Sequence, residues 1–219
     1  MSDENDVSER ALRTPKAAGI AGVVFSVLMV VSFGMLWTAI PADPLAQGEW
    51  LAANGRIVTV ALNLIPFAGI AFVWFVGVIR DRLGAREDRF FATVFLGSGL
   101  LFIGMLFVAA AVLGAVLIAF GGEQAALAAP LIRFARALAY AIVNVYMVKM
   151  AGVFMISTST VAFATKFAPR WLASLGVVLA VLLLFGSSFS RWSFAVFPLW
   201  VLSLSIHILV SGFGARSAR

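Results

Sequence analysis

The chain carries little charge for its length. Charged residues make up 12% of its 219 residues, whereas hydrophobic residues make up 63%. A soluble domain carries roughly 25% charged residues and about 45–50% apolar ones, because its surface must be hydrated. This composition excludes a soluble globular domain and indicates a chain that is embedded in lipid.

Cysteine is absent, and histidine occurs once, as His207. A chain without cysteine has no disulfides, thiolate metal sites, iron–sulfur clusters or cysteine nucleophiles. A single histidine cannot build a metal site by itself. We therefore expect no metal and no cofactor, and we assign no catalytic residue.

The long apolar runs contain no acidic residue, since all ten Asp and Glu lie in predicted tails and loops. Ion-coupled carriers, pumps and membrane metalloenzymes commonly place carboxylates within the membrane, where a carboxylate can carry a negative charge and can also bind and release a proton. The sequence therefore disfavours these classes of protein.

Six apolar runs are bounded by charges and by Pro or Gly, and each is long enough to cross a bilayer at about 20 residues per span. The fold class predicted is an all-α polytopic bundle with six transmembrane spans between a tail at 1–16 and a tail at 214–219. The first run is longer than the apolar core of a signal peptide, which indicates an uncleaved span. The predicted spans within the single domain 17–213 are about 17–40, 56–79, 90–119, 131–163, 171–187 and 193–213.

The basic residues predict the orientation, because Lys and Arg concentrate in cytoplasmic loops. Eleven fall on the side of the two termini: Arg10, Arg13, Lys16, Arg80, Arg82, Arg86, Arg89, Lys166, Arg170, Arg216 and Arg219. Four fall on the other side: Arg56, Arg133, Arg136 and Arg191. Both termini are therefore predicted to be cytoplasmic, with anionic lipids as partners at that face. The basic residues cluster at span ends rather than along a stripe, so we expect no nucleic acid despite the net charge of +6.

Small residues at four-residue spacing predict where helices touch, because they let backbones approach closely in a membrane. Such rows are Ala18, Gly22 and Ser26 on the first span, Ala110 and Gly114 on the third, and Gly176 and Ala180 on the fifth. We interpret them as contacts within the bundle, with a dimer interface as the alternative.

The fourth span carries a polar row of Arg133, Arg136, Tyr140 and Asn144. At about 100° per residue, these four side chains fall within a sector of about 80° on the outer half of the helix. Arginines without an intramembrane acid favour an anionic guest, such as a lipid head group or a carboxylate metabolite. The alternative is that the arginines meet lipid phosphates or loop carboxylates.

A second polar row on the second span consists of Arg56, Thr59 and Asn63, and Pro66 follows it. If the two rows face each other, they line a pocket that opens on the outer side. The asparagines can instead tie helices together. Proline frees a backbone carbonyl and can bend the helix.

Lys149 lies roughly opposite the row of the fourth span. It is a candidate for a second cationic site, since a lysine in the bilayer costs on the order of 3 kcal/mol. Snorkelling toward the outer surface is the alternative. The hydroxyls at 157–160 are expected to bond the carbonyls four residues before them.

A serine hydrolase within the membrane is a third functional class. Leu96-Gly97-Ser98-Gly99 and the lone His207 resemble the elements of rhomboid proteases. Rhomboids have glycine where Leu96 stands, and their serine lies on the fourth span rather than the third. The hydrolase hypothesis is therefore disfavoured.

Two stretches resemble a known group of membrane proteins: Val78-Ile79-Arg80-Asp81-Arg82-Leu83-Gly84 with Glu87-Asp88-Arg89, and 149–160 (KMAGVFMISTST) with Pro169-Arg170-Trp171-Leu172. The pattern is similar to the DUF4386-like families of six-span actinobacterial membrane proteins, which have no assigned activity. The resemblance implies the six-span fold and a bacterial plasma membrane, and it transfers no site residue.

The sequence thus leaves three functional hypotheses. We favour a non-enzymatic membrane subunit or scaffold that acts through a protein partner or a second copy of the chain. The alternative is a small carrier, channel or lipid- or anion-binding protein. Its candidate ligand-binding residues are Arg56, Asn63, Arg133, Arg136, Tyr140, Asn144 and Lys149. A hydrolase is a distant third.

Overall fold

The fold is known from a computed structural model, which describes residues 3–41, 49–83, 89–120, 128–186 and 193–217. Every element in these ranges is helical, which confirms the predicted all-α class. The elements are α1 Asp3–Ala39, α2 Glu49–Leu83, α3 Arg89–Phe120, α4 Ala129–Ala141, a π-helical segment Ile142–Met147, α5 Val148–Thr165, α6 Arg170–Gly186 and α7 Ser193–Ser217. α4, the π segment and α5 form one continuous helix.

Within the described ranges, five stretches of helix are long and apolar enough to cross a membrane: Ala17–Ala39, Trp50–Arg80, Thr93–Phe120, Ala129–Thr165 and Ser193–Ser211. The helix Arg170–Gly186 is apolar as well but has 17 residues. Large apolar side chains also cover the outside of the bundle, with Ile118 90% exposed and Phe185 81% exposed. Water does not tolerate such a surface over so large an area, whereas lipid does. The chain is therefore a multi-pass membrane protein.

Phenylalanines form the centre of the bundle. Among the residues whose burial the structure describes, seven phenylalanines are less than 2% exposed: Phe25, Phe72, Phe75, Phe95, Phe102, Phe154 and Phe197. Phe72 lies among them, with its ring centroid 4.8 Å from that of Phe25 and 5.1 Å from that of Phe154. Tilted and edge-on aromatic pairs are favourable beyond the area that they bury. The cluster joins α1, α2, α3, α5 and α7 around one core.

One end of the bundle, which we name the distal end, lies away from the start of α1. Ala39, Trp50, Val116 and Ile132 form a separate buried cluster there, which joins the end of α1, the start of α2, the end of α3 and the start of α4. α7 also begins at the distal end, because the ring of Phe194 lies 5.7 Å from that of Trp37. Neighbouring helices in this part of the bundle therefore run in opposite directions.

Two of the small-residue rows lie inside the bundle, as predicted. A β-carbon at Gly22 would meet Phe75 and Ser205, and one at Gly176 would meet Ser159 and Trp200. The small faces therefore seat α1 against α2 and α7, and α6 against α5 and α7. Such contacts leave no space for a larger side chain at either glycine.

The hydroxyl groups of α5 mostly bond their own helix. Ser157, Thr158 and Thr160 donate to the carbonyls four residues earlier, at 3.0, 2.8 and 2.9 Å. The prediction is confirmed for these three residues and is wrong for Ser159. The Ser159 hydroxyl is buried without a hydrogen-bond partner in the described part of the chain, because it lies where α6 passes closest at Gly176.

Candidate functional site

A cavity of ≈ 520 Å³ lies in the distal half of the bundle, and we name it the distal cavity. Its wall is mostly apolar and comes from five helices. The lining residues are Phe33, Leu36, Trp37, Ile40, Pro41, Leu62, Ile65, Leu106, Ala109, Ala110, Leu113, Arg133, Arg136, Ala137, Ala139, Tyr140, Val143, Asn144 and Phe194. A pocket of this size that is largely apolar, with a few convergent polar groups, is typical of small-molecule sites.

The structure brings the polar row of the fourth span to this cavity. Arg133, Arg136, Tyr140 and Asn144 all line it. At 1.5 Å per residue, the row from Arg133 to Asn144 covers about 16 Å along the wall. The cations stand near the distal end, and the amide stands deeper in the bundle.

The other three candidate residues do not line the cavity. Arg56, Asn63 and Lys149 are exposed on the outside of the bundle. The amide nitrogen of Asn63 donates to the Thr59 carbonyl of its own helix at 2.9 Å. α2 turns Leu62 and Ile65 toward the cavity instead. The two polar rows therefore do not face each other across the cavity, since helical periodicity shows which residues share a face but not which neighbour that face meets.

Arg136 is held in place by the protein itself. Its Nη2 donates to the Pro41 carbonyl at 2.9 Å, and its guanidinium carbon lies 5.6 Å from the centroid of the Trp50 ring. The first contact satisfies a backbone carbonyl just beyond α1, and the second is a cation–π interaction with α2. Arg136 therefore joins the distal ends of three helices.

Arg133 differs from Arg136 although it lies one turn away. It is exposed at the cavity mouth, and it has no hydrogen bond or ion pair within the described residues. A guanidinium without such a partner among the described residues has donors available for a guest, and carboxylates and phosphates match its geometry. Of the two arginines, Arg133 is therefore the better placed to bind an anion.

Asn144 lies in the π-helical segment and is buried. One of its amide hydrogens goes to the Tyr140 carbonyl, with an N···O distance of 3.0 Å. Its Oδ1 accepts no hydrogen bond in the described ranges, so it supplies a polar acceptor to the cavity wall. Short π segments are rare in proteins, and those that occur are often found at functional sites. Here the segment contributes Val143 and Asn144 to the cavity.

Two prolines, Pro66 in α2 and Pro198 in α7, each free a carbonyl of a cavity-lining residue. Pro66 has no N–H for the Leu62 carbonyl, and Pro198 has none for that of Phe194. Leu62 and Phe194 both line the distal cavity. The helical ladder is therefore incomplete at two places around the site.

The structure gives no support to hydrolysis by Ser98 and His207. The Ser98 hydroxyl is bonded to the Val94 carbonyl at 2.6 Å, and His207 is bonded to Ser211 at 3.2 Å. Each therefore bonds a residue of its own helix. The described residues also contain no group of three or more His, Asp or Glu that could hold a metal ion.

No protein-family model, curated protein or solved structure matches the chain. The candidate site is therefore interpreted from its own geometry.

Sequence reasoning missed the part of the site that α1 and α7 supply. Phe33 and Trp37 of α1 and Phe194 of α7 line the cavity. Aromatic residues in a membrane helix usually signal packing or an interface, so their pattern did not distinguish them. The π segment was also missed, because its sequence IVNVYM has no residue that marks a helix irregularity.

Proposed function

We propose that the chain is a six-span membrane protein with both termini in the cytoplasm, and that it binds a small anionic amphiphile in the distal cavity. The observation that carries this proposal is the distribution of groups around the cavity. Arginines stand at one end, and most of the remaining wall is apolar. An amphiphile with one anionic head group matches both parts at once.

The packing supports the sixth span. α5 ends at Thr165, far from the distal end where α4 begins, whereas α7 begins at the distal end beside Trp37. This arrangement supports a crossing of the bundle between them, and α6 is the candidate helix for it. At 1.5 Å per residue, its 17 residues cover about 25 Å, near the lower limit for a span.

The excess of Lys and Arg on the side of the termini supports the orientation, which places the distal cavity on the outer side. The resemblance to the DUF4386-like families supports a bacterial plasma membrane as the location. Binding therefore involves the outer leaflet or the outer solution.

The topology can be tested by labelling, because the chain has no cysteine of its own. Ala52 in the first turn of α2 and Ala164 near the end of α5 are both exposed. In intact cells, a membrane-impermeant maleimide should label Ala52→Cys, and it should label Ala164→Cys only after lysis. The reverse pattern would invert the proposed orientation, and labelling of both in intact cells would contradict the span count.

The geometry favours binding over a role as a scaffold. The small-residue faces of Gly22 and Gly176, which could have formed contacts with a partner, are used inside the bundle. Arg133, in contrast, presents at the mouth of a cavity a cation that has no hydrogen bond or ion pair within the described residues.

The experiment that tests the proposed function compares two exposed arginines. The protein is purified in a mild non-ionic detergent, and its binding of octanoate and palmitate is measured by native mass spectrometry and by titration. In Arg133→Ala, we expect affinity for both anions to fall about tenfold or more, since a charge-assisted hydrogen bond is lost. Thermal stability should not change, because Arg133 has no protein partner among the described residues.

Arg56→Ala is the matched control. Arg56 is also an exposed arginine, near the distal end of α2, but it does not line the cavity. Affinity should stay at the wild-type value in this variant. An equal loss in both variants would indicate attraction by surface charge in general, and it would remove the distal cavity as the site.

A further inference from the structure

A second cavity, of ≈ 280 Å³, lies between α1 and α7, and we name it the side cavity. α1 contributes Met29, Val30 and Gly34, and α7 contributes Ala195 and Pro198. Thr38 also lines the side cavity. Its hydroxyl already donates a hydrogen bond to the Met35 carbonyl at 3.0 Å. The side cavity therefore offers mainly apolar contact.

The side cavity adjoins the distal cavity at three aromatic residues. Phe33, Trp37 and Phe194 line both of them. The Phe194 ring centroid lies 4.8 Å from that of Phe33 and 5.7 Å from that of Trp37. These three rings form a wall, with a cationic compartment on one side and an apolar compartment on the other.

The side cavity also reaches the outer surface of the bundle. Val30, which lines it, is 43% exposed on α1. That surface is apolar and faces lipid, so the side cavity opens toward the acyl chains of the bilayer. A guest can therefore reach it sideways from the membrane.

The aromatic wall stands on a weakened turn. Phe194 is the second residue of α7, and Pro198 cannot donate a hydrogen bond to its carbonyl. On the facing helix, no atom of the described residues lies within 4 Å of the position that a β-carbon would take at Gly34. The Phe194 carbonyl therefore lacks its helical hydrogen bond, and the side cavity has open space at Gly34.

We propose that the side cavity holds the end of the acyl chain of the amphiphile whose head group binds at Arg133 and whose first carbons lie along the apolar wall of the distal cavity. The ligand is then a single-chain anionic lipid that comes from the membrane, and its chain passes from one cavity to the other at the three shared rings. This inference rests on the proposed function, because it needs the anionic site in the distal cavity. It adds the class of the ligand, its route and the residues that select its chain. A long chain should therefore bind more tightly than a short one.

The test fills the side cavity and measures selectivity for chain length. In Gly34→Leu, the new side chain occupies the open space without displacing an atom near its β-carbon. We expect the ratio of palmitate to octanoate affinity to fall about tenfold, because the acyl chain of palmitate loses its dispersion contacts with the side cavity. The matched control is Gly104→Leu, since Gly104 on α3 is equally open and lines neither cavity. The ratio should stay at the wild-type value there.

The outcomes separate this inference from the proposed function. If wild-type protein binds neither palmitate nor octanoate, the proposed function fails and the inference fails with it. If wild-type protein binds palmitate and octanoate with equal affinity, the side cavity does not hold the acyl chain, although the head-group site is retained. The same conclusion follows if Gly34→Leu leaves the affinity ratio unchanged while Arg133→Ala weakens the binding of both anions. A lower ratio in Gly34→Leu alone supports the inference.

Discussion

Gly176→Ala should lower the free energy of unfolding by about 2 kcal/mol, because over-packing of a tight core contact costs about 1–3 kcal/mol. A β-carbon at Gly176 would lie 2.8 Å from the Trp200 indole nitrogen and would overlap the Ser159 hydroxyl. The indole nitrogen donates to the Leu172 carbonyl at 3.3 Å, so displacement of the ring also weakens a buried hydrogen bond. Unfolding in detergent, followed by heat or by added SDS, measures the change.

Gly186→Ala is the control on the same helix. No atom of the described residues lies within 4 Å of the β-carbon position at Gly186, the last residue of α6. The free energy of unfolding of the Gly186→Ala variant should stay near that of the wild type. If both alanine variants unfold at the same point, then α6 does not pack closely against α5 and α7 at Gly176.

The same glycine shows how far the sequence alone could go with the fold. The spacing of Gly176 and Ala180 predicted a close helix contact, because small residues allow one in lipid. It did not name the partner, since α5 and α7 both carry residues that fit such a face. The structure identifies Ser159 and Trp200 as those residues. Periodicity is local, whereas the choice of neighbour depends on all helices together.

Only part of the candidate site could be predicted from the sequence, for the same reason. The row on the fourth span could be found from sequence, because polar residues in an apolar helix are rare and costly. The row with Arg56 and Asn63 gave an equal signal but lies on the outside of the bundle. A polar residue near a span end can satisfy itself in the lipid interface or on its own helix, as Asn63 does with Thr59. Sequence does not distinguish that situation from a site.

Nothing in the sequence pattern marked the three residues of the aromatic wall as part of a site. Phe33, Trp37 and Phe194 are three of many aromatic residues in apolar runs. They line a cavity because α7 starts beside the end of α1, which is a property of the topology. A site that depends on contacts between the first and last helices can be recognised only after the helices are placed.

Arg136→Ala should lower the free energy of unfolding by about 2 kcal/mol, as expected for one hydrogen bond from a charged group plus a cation–π contact. The guanidinium donates to the Pro41 carbonyl at 2.9 Å and lies over the Trp50 ring, so its loss releases the distal ends of α1 and α2 from α4. Hydrogen exchange should rise at the start of α2, in contrast to Arg133→Ala, which should lose anion binding without a change in stability.

Arg136→Lys tests whether the geometry or the charge is responsible. A lysine keeps the charge, but a compact ammonium has no planar face to lie over an aromatic ring, so it should recover only part of the stability. Full recovery would indicate that the charge alone matters. Stability equal to wild type in Arg136→Ala would show that the distal ends are held by the apolar cluster of Ala39, Trp50, Val116 and Ile132 instead. The expected pair of phenotypes assigns opposite roles to two arginines one turn apart, with Arg136 building the distal cavity and Arg133 binding its guest.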